Sequence, residues 1–324
     1  MAEISPIFLF SLPRAGSTLL QRMIAAHPQV ATTAEPWLLL PCLDILEHRG
    51  CTFSTYGHQL ALAAIREFAG SIEGEADILR QELRTMILNL YRHASRDNVR
   101  YFLDKTPRYH THCETIVEMF PGAKFIVLQR HPLAVVASML NTFADGKWYL
   151  YGNRLDLYDG LAALDHAMER FGERLLPVRY ESLVEDPAGT MRQVSNYLEL
   201  EWDEGSWDSF NQVDIAGKMK DPTGITRYSQ VSSEPLSKWT YVFNNPFRIV
   251  WARRYLDWIG EERLSRMGYE LPELHAELDA LETGWRGVPG DLLRSGYGIW
   301  RTWRQADVVA AMGERPWKQR YVLR

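Results

Sequence analysis

Short apolar runs alternate with longer amphipathic stretches along the chain, which is the pattern expected when strands alternate with helices. Four of these runs have the length and composition of buried strands: residues 7–10, 99–103, 124–129 and 175–179. Each run is followed by a turn and then by a helical pattern, so consecutive strands are expected to run in the same direction. The pattern therefore predicts an α/β fold with a mainly parallel sheet flanked by helices.

A long helical pattern separates the first two predicted strands, from residue 44 to residue 96, with a break near residues 70–74. Apolar residues recur there at helical spacing, and we expect these side chains to lie in the core: Leu79, Leu83, Met86, Ile87 and Leu90. Residues 44–96 are therefore predicted to form a helical insertion over the sheet, which would serve as a lid or as a wall of an acceptor site.

The character of the sequence changes after residue 270. Residues 291–324 contain seven Arg or Lys, three acidic residues and three tryptophans. Such a segment is typical either of a surface for a polyanion or a membrane, or of a tail that docks its aromatic side chains on protein. We expect residues 271–324 to form a helical extension that docks on the main domain, residues 1–270, or on a second subunit of a homodimer.

The composition narrows the class of protein. A chain of 324 residues with 46% hydrophobic and 24% charged residues is typical of a globular protein, and a net charge of −5 gives no reason to expect nucleic-acid binding. The three cysteines lack metal-ligand spacing, so we expect reduced thiols and no metal site. Because the chain shows neither a signal-peptide pattern nor a long apolar run, we expect a cytoplasmic protein without a membrane span.

The first predicted strand runs into the turn Ser-Leu-Pro-Arg-Ala-Gly at residues 11–16, and a helix follows. Turn amides and a helix N-terminus form an anion-binding cradle, for which the candidate ligands are Arg14, Ala15, Gly16, Ser17 and Thr18. The spacing is close to that of an ATP-binding P-loop, but Ser17 stands where the P-loop has lysine. The planar guanidinium of Arg14 suits a sulfonate or a phosphate instead.

A second strand–turn–helix unit carries another candidate anion site. Arg130 follows the predicted strand at 124–129, and Ser138 lies two turns into the next helix. Two such sites indicate a ligand with two separated anionic groups. His131 is better suited to cap that helix than to act as a general base, because Pro132 fixes it at the helix entry.

Two further charged residues are candidate site residues because of their positions relative to the predicted strands. Glu35 precedes a proline and is therefore expected in extended backbone, one strand–helix unit from the cradle. Lys105 follows the second predicted strand, and ligands bind at the carboxyl ends of strands in open α/β sheets. A solvated surface position remains an alternative for both.

Taken together, these segments resemble the sulfotransferases that use 3′-phosphoadenosine 5′-phosphosulfate (PAPS). The sequence SLPRAGSTLL resembles the family's loop for the 5′-phosphosulfate, and FIVLQRHPLAVVASML resembles its 3′-phosphate segment, with Arg130 and Ser138 as the phosphate ligands. The resemblance extends from about residue 5 to residue 245. It implies the P-loop-like sulfotransferase fold.

Within that family the chain is most similar to the tyrosylprotein sulfotransferases and their bacterial relatives. The resemblance places Glu35 at the catalytic base and Lys105 at the catalytic lysine. It adds three nucleotide contacts: Tyr180, Ser229 and Lys238. Trp37 departs from the pattern, because the tyrosylprotein enzymes carry arginine two residues after the base.

The resemblance implies in-line transfer of a sulfuryl group from PAPS to a hydroxyl acceptor, with Glu35 removing the proton and Arg14 and Lys105 stabilising charge. The acceptor stays open among a sugar, a phenol, a carrier-bound intermediate, a lipid-linked glycan and a peptide tyrosine. Two other functions also remain, a nucleotide kinase on a similar sheet and a non-catalytic nucleotide-binding module.

Overall fold

The centre of the fold is a sheet built from β1 (Ser5–Ser11), β2 (Val30–Thr32), β3 (Tyr101–Asp104), β4 (Lys124–Gln129) and β5 (Leu175–Arg179). The strands lie in the spatial order β2-β3-β1-β4-β5, and every pairing is parallel. The structure is a computed structural model that describes residues 4–47, 58–72, 77–96, 98–201, 207–213, 215 and 231–311. Because all strands of the described sheet are parallel, their carboxyl ends share one edge.

Helices connect and cover the strands. In chain order they are α1 (Ser17–Ala25), α2 (Leu39–Glu47), α3 (His58–Gly70), α4 (Ile78–Ala94), α5 (Cys113–Met119), α6 (Pro132–Phe143), α7 (Leu161–Phe171), α8 (Tyr180–Glu185), α9 (Pro187–Leu198), α10 (Glu234–Ser237), α11 (Pro246–Ile259), α12 (Glu261–Arg266), α13 (Leu271–Asp279) and α14 (Val288–Ala311). Among the described residues, no helix combines the length and the apolar composition that crossing a bilayer requires. The predicted α/β fold class is confirmed.

The middle strand is apolar because it is covered on both faces. Residues 7–10 of β1 are fully buried, and Phe8 and Phe10 lie against Phe125 of β4 with ring centroids 5.8 and 6.0 Å apart. A continuous apolar run is what a buried parallel strand requires. Sequence periodicity missed β2 as a strand, since three residues are too few to show an alternating pattern.

The described part of the predicted insertion is helical, in α2, α3 and α4. On α4 the residues that face the core are Ile87 and Tyr91, one turn apart. Met86 and Leu90 are 42% and 43% exposed, so the expectation that both lie in the core is wrong. A helix that packs on one side buries only a stripe, and apolar residues about 100° away from it stay outside.

The C-terminal helix is joined to α11 by a buried ion pair. Arg248 Nε lies 2.7 Å from Asp291 Oδ2, and Asn245 Nδ2 donates to the same oxygen at 3.0 Å. Burial alone would raise the pKa of Asp291, but the hydrogen bonds from Arg248 and Asn245 hold it below its ordinary value of 3.8. This contact therefore fixes the position of α14 along α11.

Replacing Asp291 by alanine should lower the free energy of unfolding by about 3 kcal/mol, because the buried Arg248 loses its counterion. Asp279→Ala, which breaks the exposed Arg253–Asp279 pair, should change it by less than about 1 kcal/mol. Urea titrations measure both. The Asp291 contribution should be present above pH 4 and disappear as the pH falls below the ordinary pKa of the carboxyl, since the folded state binds that proton less readily. Equal effects of the two substitutions would contradict the assignment.

Candidate active site

A cavity of about 1230 Å³ opens at the carboxyl edge of the sheet. Every strand contributes to its wall a residue that lies one to three positions beyond the strand's end: Arg14, Glu35, Lys105, Arg130 and Tyr180. Sites for one drug-sized ligand usually measure about 300–1,000 Å³, so the cavity has room for two small molecules side by side.

The turn after β1 is fixed by a glycine that leaves no room for a side chain. Gly16 has φ 100°, and a Cβ placed on it would lie 2.3 Å from Cδ2 of Tyr180. Its carbonyl accepts the first backbone hydrogen bond of α1, from Leu19 at 3.0 Å. Since glycine is the N-cap residue, it has no side chain to cover the first-turn amides, and Ser17 and Thr18 line the cavity beside them.

The two candidate anion sites are neighbours. Arg130 donates from Nη1 to the Arg14 carbonyl at 3.1 Å and from Nη2 to the Pro235 carbonyl at 3.0 Å. Its guanidinium also lies 4.2 Å from the ring centroid of Tyr180. Arg14 donates from Nε to Ser138 Oγ at 3.4 Å. The arrangement brings the residues after β1 and β4 to one side of the cavity.

Glu35 is held through both carboxylate oxygens. Lys105 Nζ donates to Oε1 at 2.7 Å, and Trp37 Nε1 donates to Oε2 at 3.2 Å. The Lys105 side chain is only 3% exposed. The backbone of Trp37 is in the left-handed region, at φ 53°, and in this conformation its indole contacts the Glu35 carboxylate. An acid, a lysine and an indole thus form one cluster in the cavity wall, and the orienting role of Trp37 had no signal in the sequence.

The comparisons with known proteins agree with this architecture. A family model described as the sulfotransferase family matches residues 6–204, more than half of the chain. The chain belongs to the sulfotransferase family. Among solved structures, the sulfotransferase domain from the curacin biosynthetic pathway superposes with a TM-score of 0.54 at 19% identity, covering 83% of this sulfotransferase and 99% of that chain. A likeness at this identity is a likeness of fold.

The curated relatives that match this sulfotransferase include a nodulation protein and a protein-tyrosine sulfotransferase. Nodulation protein NoeE from Sinorhizobium fredii is 27% identical, with 85% of this chain and 69% of NoeE aligned. Protein-tyrosine sulfotransferase 1 from Danio rerio is 26% identical, with 72% of this chain and 65% of the relative aligned. The sulfotransferase thus spans slightly less than two thirds of that tyrosine sulfotransferase.

Most residues singled out in the sequence line this one cavity: Arg14, Gly16, Ser17, Thr18, Glu35, Lys105, Arg130, Ser138, Tyr180 and Lys238. Lys238 is on the rim, where it pairs with Glu234 at 2.7 Å. Tyr180 is 1% exposed, so its ring packs against the residues of the site and offers a ligand little surface. The methyl group of Ala15 is buried in the core, which leaves only its backbone for a ligand. Ser229 lies outside the described residues.

His131 caps α6, as its position before Pro132 suggested. The backbone N–H of Ala134 donates to its Nδ1 at 3.3 Å, and the imidazole stacks on Trp239 with ring centroids 4.7 Å apart. These contacts assign His131 to packing at the helix entry.

A second carboxylate of the cavity wall gave no sequence signal. Asp156 Oδ1 lies 2.8 Å from His110 Nε2, and its Oδ2 lies 3.2 Å from Arg108 Nη2. Burial lowers the pKa of His110, although the neighbouring Asp156 opposes that shift. Asp156 belongs to a π-helical turn, Leu155–Gly160, about fifty residues along the chain from Arg108. The contact between Asp156 and Arg108 therefore could not be predicted from a local sequence pattern. Among the described residues, no group of His, Cys, Asp and Glu is arranged to hold a metal ion.

A buried carboxylate lies next to Lys105 in the chain. Asp104, the residue before Lys105, accepts hydrogen bonds at Oδ2 from Tyr91 at 2.5 Å and Tyr109 at 3.0 Å, and at Oδ1 from Thr106 at 3.2 Å. Burial raises its pKa to about 6, against the effect of these hydrogen bonds. The network fixes the end of β3, from which Lys105 extends.

The raised pKa of Asp104 predicts a pH effect on stability. Between its ordinary value of 3.8 and about 6 the folded state binds this proton more tightly than the unfolded state, so the contribution to stability falls as the pH rises through that window. Relative to Asp104→Asn, the wild-type free energy of unfolding should fall by about 2 kcal/mol between pH 4 and pH 7. Urea titrations at several pH values measure it, and parallel profiles for the two proteins would contradict the prediction.

Proposed function

We propose that this sulfotransferase moves the sulfuryl group of PAPS to the hydroxyl group of an acceptor. The observation that carries the proposal is the hydrogen bond from Arg130 Nη1 to the Arg14 carbonyl, which sets two guanidinium groups beside one cavity. PAPS supplies the sulfuryl group and has two separate anionic ends, a 3′-phosphate and a 5′-phosphosulfate. Two adjacent cationic sites in a single cavity are suited to such a ligand.

The donors at the Arg130 site have capacity for an anion. Arg130 Nε is buried and has no hydrogen-bond partner among the described residues, while Nη1 and Nη2 are bound to carbonyls. A buried guanidinium N–H without a partner is costly, and a phosphate oxygen would satisfy it. Ser138 Oγ adds a hydroxyl on the same side of the cavity. These groups fit the 3′-phosphate of the nucleotide.

The turn after β1 fits the other anionic end. The first-turn amides of α1, the hydroxyls of Ser17 and Thr18 and the guanidinium of Arg14 all border the cavity. Donors fixed in this way stabilise the charge that develops on sulfuryl oxygens and on a departing phosphate. Loss of one such donor typically lowers the rate by about a hundredfold to a thousandfold.

Glu35 serves as the general base in the proposed mechanism. It accepts the hydroxyl proton of the acceptor while the acceptor oxygen bonds to sulfur and the bond from sulfur to the 5′-phosphate oxygen breaks. Trp37 and Lys105 fix the orientation of the carboxylate before any ligand binds. Lys105 also places a positive charge beside the reacting groups, where it offsets the charge of the leaving phosphate.

The acceptor side of the cavity carries both aromatic and polar groups, among them Trp37, Arg108, Tyr149, Asn153 and Asp156. A hydroxyl-bearing acceptor suits this lining. A peptide tyrosine is the second candidate, favoured by the 26% identity to protein-tyrosine sulfotransferase 1. Trp37 stands against it, because it occupies the position at which the resemblance places an arginine in the tyrosylprotein enzymes.

Glu35→Gln tests the chemistry. The amide keeps the shape of the side chain but is not a base, so kcat should fall at least about a hundredfold while the affinity for adenosine 3′,5′-bisphosphate stays within about twofold of wild type. Transfer of labelled sulfate from PAPS to a phenol, an oligosaccharide and a tyrosine peptide measures turnover, and calorimetry measures nucleotide affinity. Near-wild-type turnover with intact affinity would remove Glu35 as the base. ATP consumption without dependence on PAPS would favour a kinase instead.

Arg130→Met tests the nucleotide assignment. The wild type should bind adenosine 3′,5′-bisphosphate at least about a hundredfold more tightly than adenosine 5′-monophosphate, because charge-assisted hydrogen bonds hold the 3′-phosphate. The variant should lose most of that preference, and Arg192→Met, at an exposed position on α9, should keep it. An unchanged preference in a folded Arg130→Met protein would place the 3′-phosphate elsewhere.

A further inference from the structure

The C-terminal helix faces the protein with its small and polar side and turns its large apolar side outward. The inward positions of α14 include Asp291, Gly298 and Thr302, all buried. The outward positions form what we call the apolar face of α14, six side chains that are 46–75% exposed: Leu292, Leu293, Tyr297, Ile299, Trp300 and Trp303. A helix that only docks on its own domain shows the opposite pattern.

The inward contacts explain why the orientation is fixed. A Cβ on Gly298 would lie 3.4 Å from the Cβ of Tyr151, so the helix backbone approaches the domain closely there. Thr302 is hydrogen-bonded to Arg154, and Asp291 is paired with Arg248. Turning the apolar face inward would break these contacts and leave Arg248 buried without its counterion. The exposure of the face is therefore built into the fold.

The charged side chains that the structure describes beside this face are arginines. Arg294, Arg301 and Arg304 follow one another along one edge of α14, and the buried carboxylate of Asp291 is paired with Arg248 and lies 3.3 Å from Arg294 Nη1. Residues 285–324 contain eight Arg or Lys and three Asp or Glu, in a chain whose net charge is −5. This segment is therefore basic within an acidic chain, and Arg286, Arg294, Arg301 and Arg304 are the basic members of it that the structure describes.

We propose that the apolar face of α14 docks on the surface of an anionic lipid bilayer. Helices that lie in a membrane interface combine an apolar face rich in Trp and Leu with basic residues at its border. Tryptophan and tyrosine favour the headgroup region, and Trp285, 77% exposed just before the helix, adds a further indole. The arginines are then positioned to meet lipid phosphates.

A second copy of the chain is less suited than an anionic bilayer to cover the apolar face of α14. In a two-fold symmetric contact the face would meet itself, so the arginine edge would lie against either the same edge or the apolar edge of the other helix. Asp291, the one carboxylate among the side chains of α14 that the structure describes, is buried and paired with Arg248 and Arg294 of its own chain, so it is not available to the arginines of a second copy. An anionic bilayer supplies the opposite charge along the whole edge.

The face is continuous with the active-site wall. Tyr297 stacks against Tyr149 with ring centroids 6.4 Å apart, and Tyr149 lines the cavity. Docking would therefore bring the cavity close to the lipid surface. Any benefit for a membrane-anchored acceptor rests on the proposed function, whereas lipid binding itself does not.

Vesicle sedimentation with the full-length protein tests the proposal. The wild type should bind vesicles of phosphatidylcholine and phosphatidylglycerol at low salt, bind pure phosphatidylcholine vesicles far more weakly, and be released from the anionic vesicles by high salt. The double substitution Leu293→Ser and Trp300→Ser should weaken binding at least about tenfold, since both side chains are exposed and their loss leaves the core intact. Arg304→Gln should weaken it about fivefold.

Phe68→Ser is the matched control, because Phe68 is a large apolar side chain that is 70% exposed on α3 and does not belong to the apolar face of α14. This variant should bind vesicles like the wild type. Equal binding of the wild type and the double variant would overturn the proposal. So would a wild-type dimer in size-exclusion chromatography that the double variant abolishes while vesicle binding is absent, since a second copy would then cover the face. Because the readout is lipid binding, these results are independent of whether PAPS is the substrate.

Discussion

Tyr180 lies between the Gly16 backbone and the Arg130 guanidinium, and the geometry of the cavity depends on that contact. It joins the residues that follow three adjacent strands, β1, β4 and β5. Gly16 tolerates it because a glycine adopts φ 100° without strain and presents no Cβ to the ring. The packing of Tyr180 therefore fixes its ring, the turn after β1 and the Arg130 guanidinium in position relative to one another. Arg130 in turn holds the carbonyl of Arg14, so both candidate anion sites follow from one packing interaction.

The sequence predicted those parts of the fold that local patterns encode. The apolar run of β4 and the turn before α1 are each complete within about ten residues, and parallel strands place their carboxyl ends together. That rule was enough to expect Arg14 and Arg130 on the same edge. The contact from Lys105 to Glu35 spans 70 positions, and the link from His110 to Asp156 spans 46. Such contacts depend on how the helices cross the sheet, and the spacing of residues within a short segment does not predict that crossing.

The cluster around β3 shows how burial and charge are balanced in this site. Asp104 precedes Lys105 in the chain and is fully buried, whereas Glu35 lies in the cavity wall and binds the Lys105 side chain. Burial works against ionisation of Asp104, and three hydroxyl donors work for it, which leaves its pKa at about 6. Lys105 is left with Glu35 as its direct ionic partner, at 2.7 Å. Glu35, the acid that contacts the cavity, is thus the one that pairs directly with the lysine ammonium group.

The orientation of α14 is not explained by folding stability alone. Replacement of a buried ion pair by apolar side chains of similar volume is often neutral or stabilising, so folding stability does not by itself call for the Arg248–Asp291 pair at this place. The helix carries such side chains, Leu293 and Trp300 among them, and presents them to solvent. Since the ion pair fixes which side faces inward, its effect is to keep an apolar and basic surface outside. Such an arrangement is best understood if something outside the domain uses the surface.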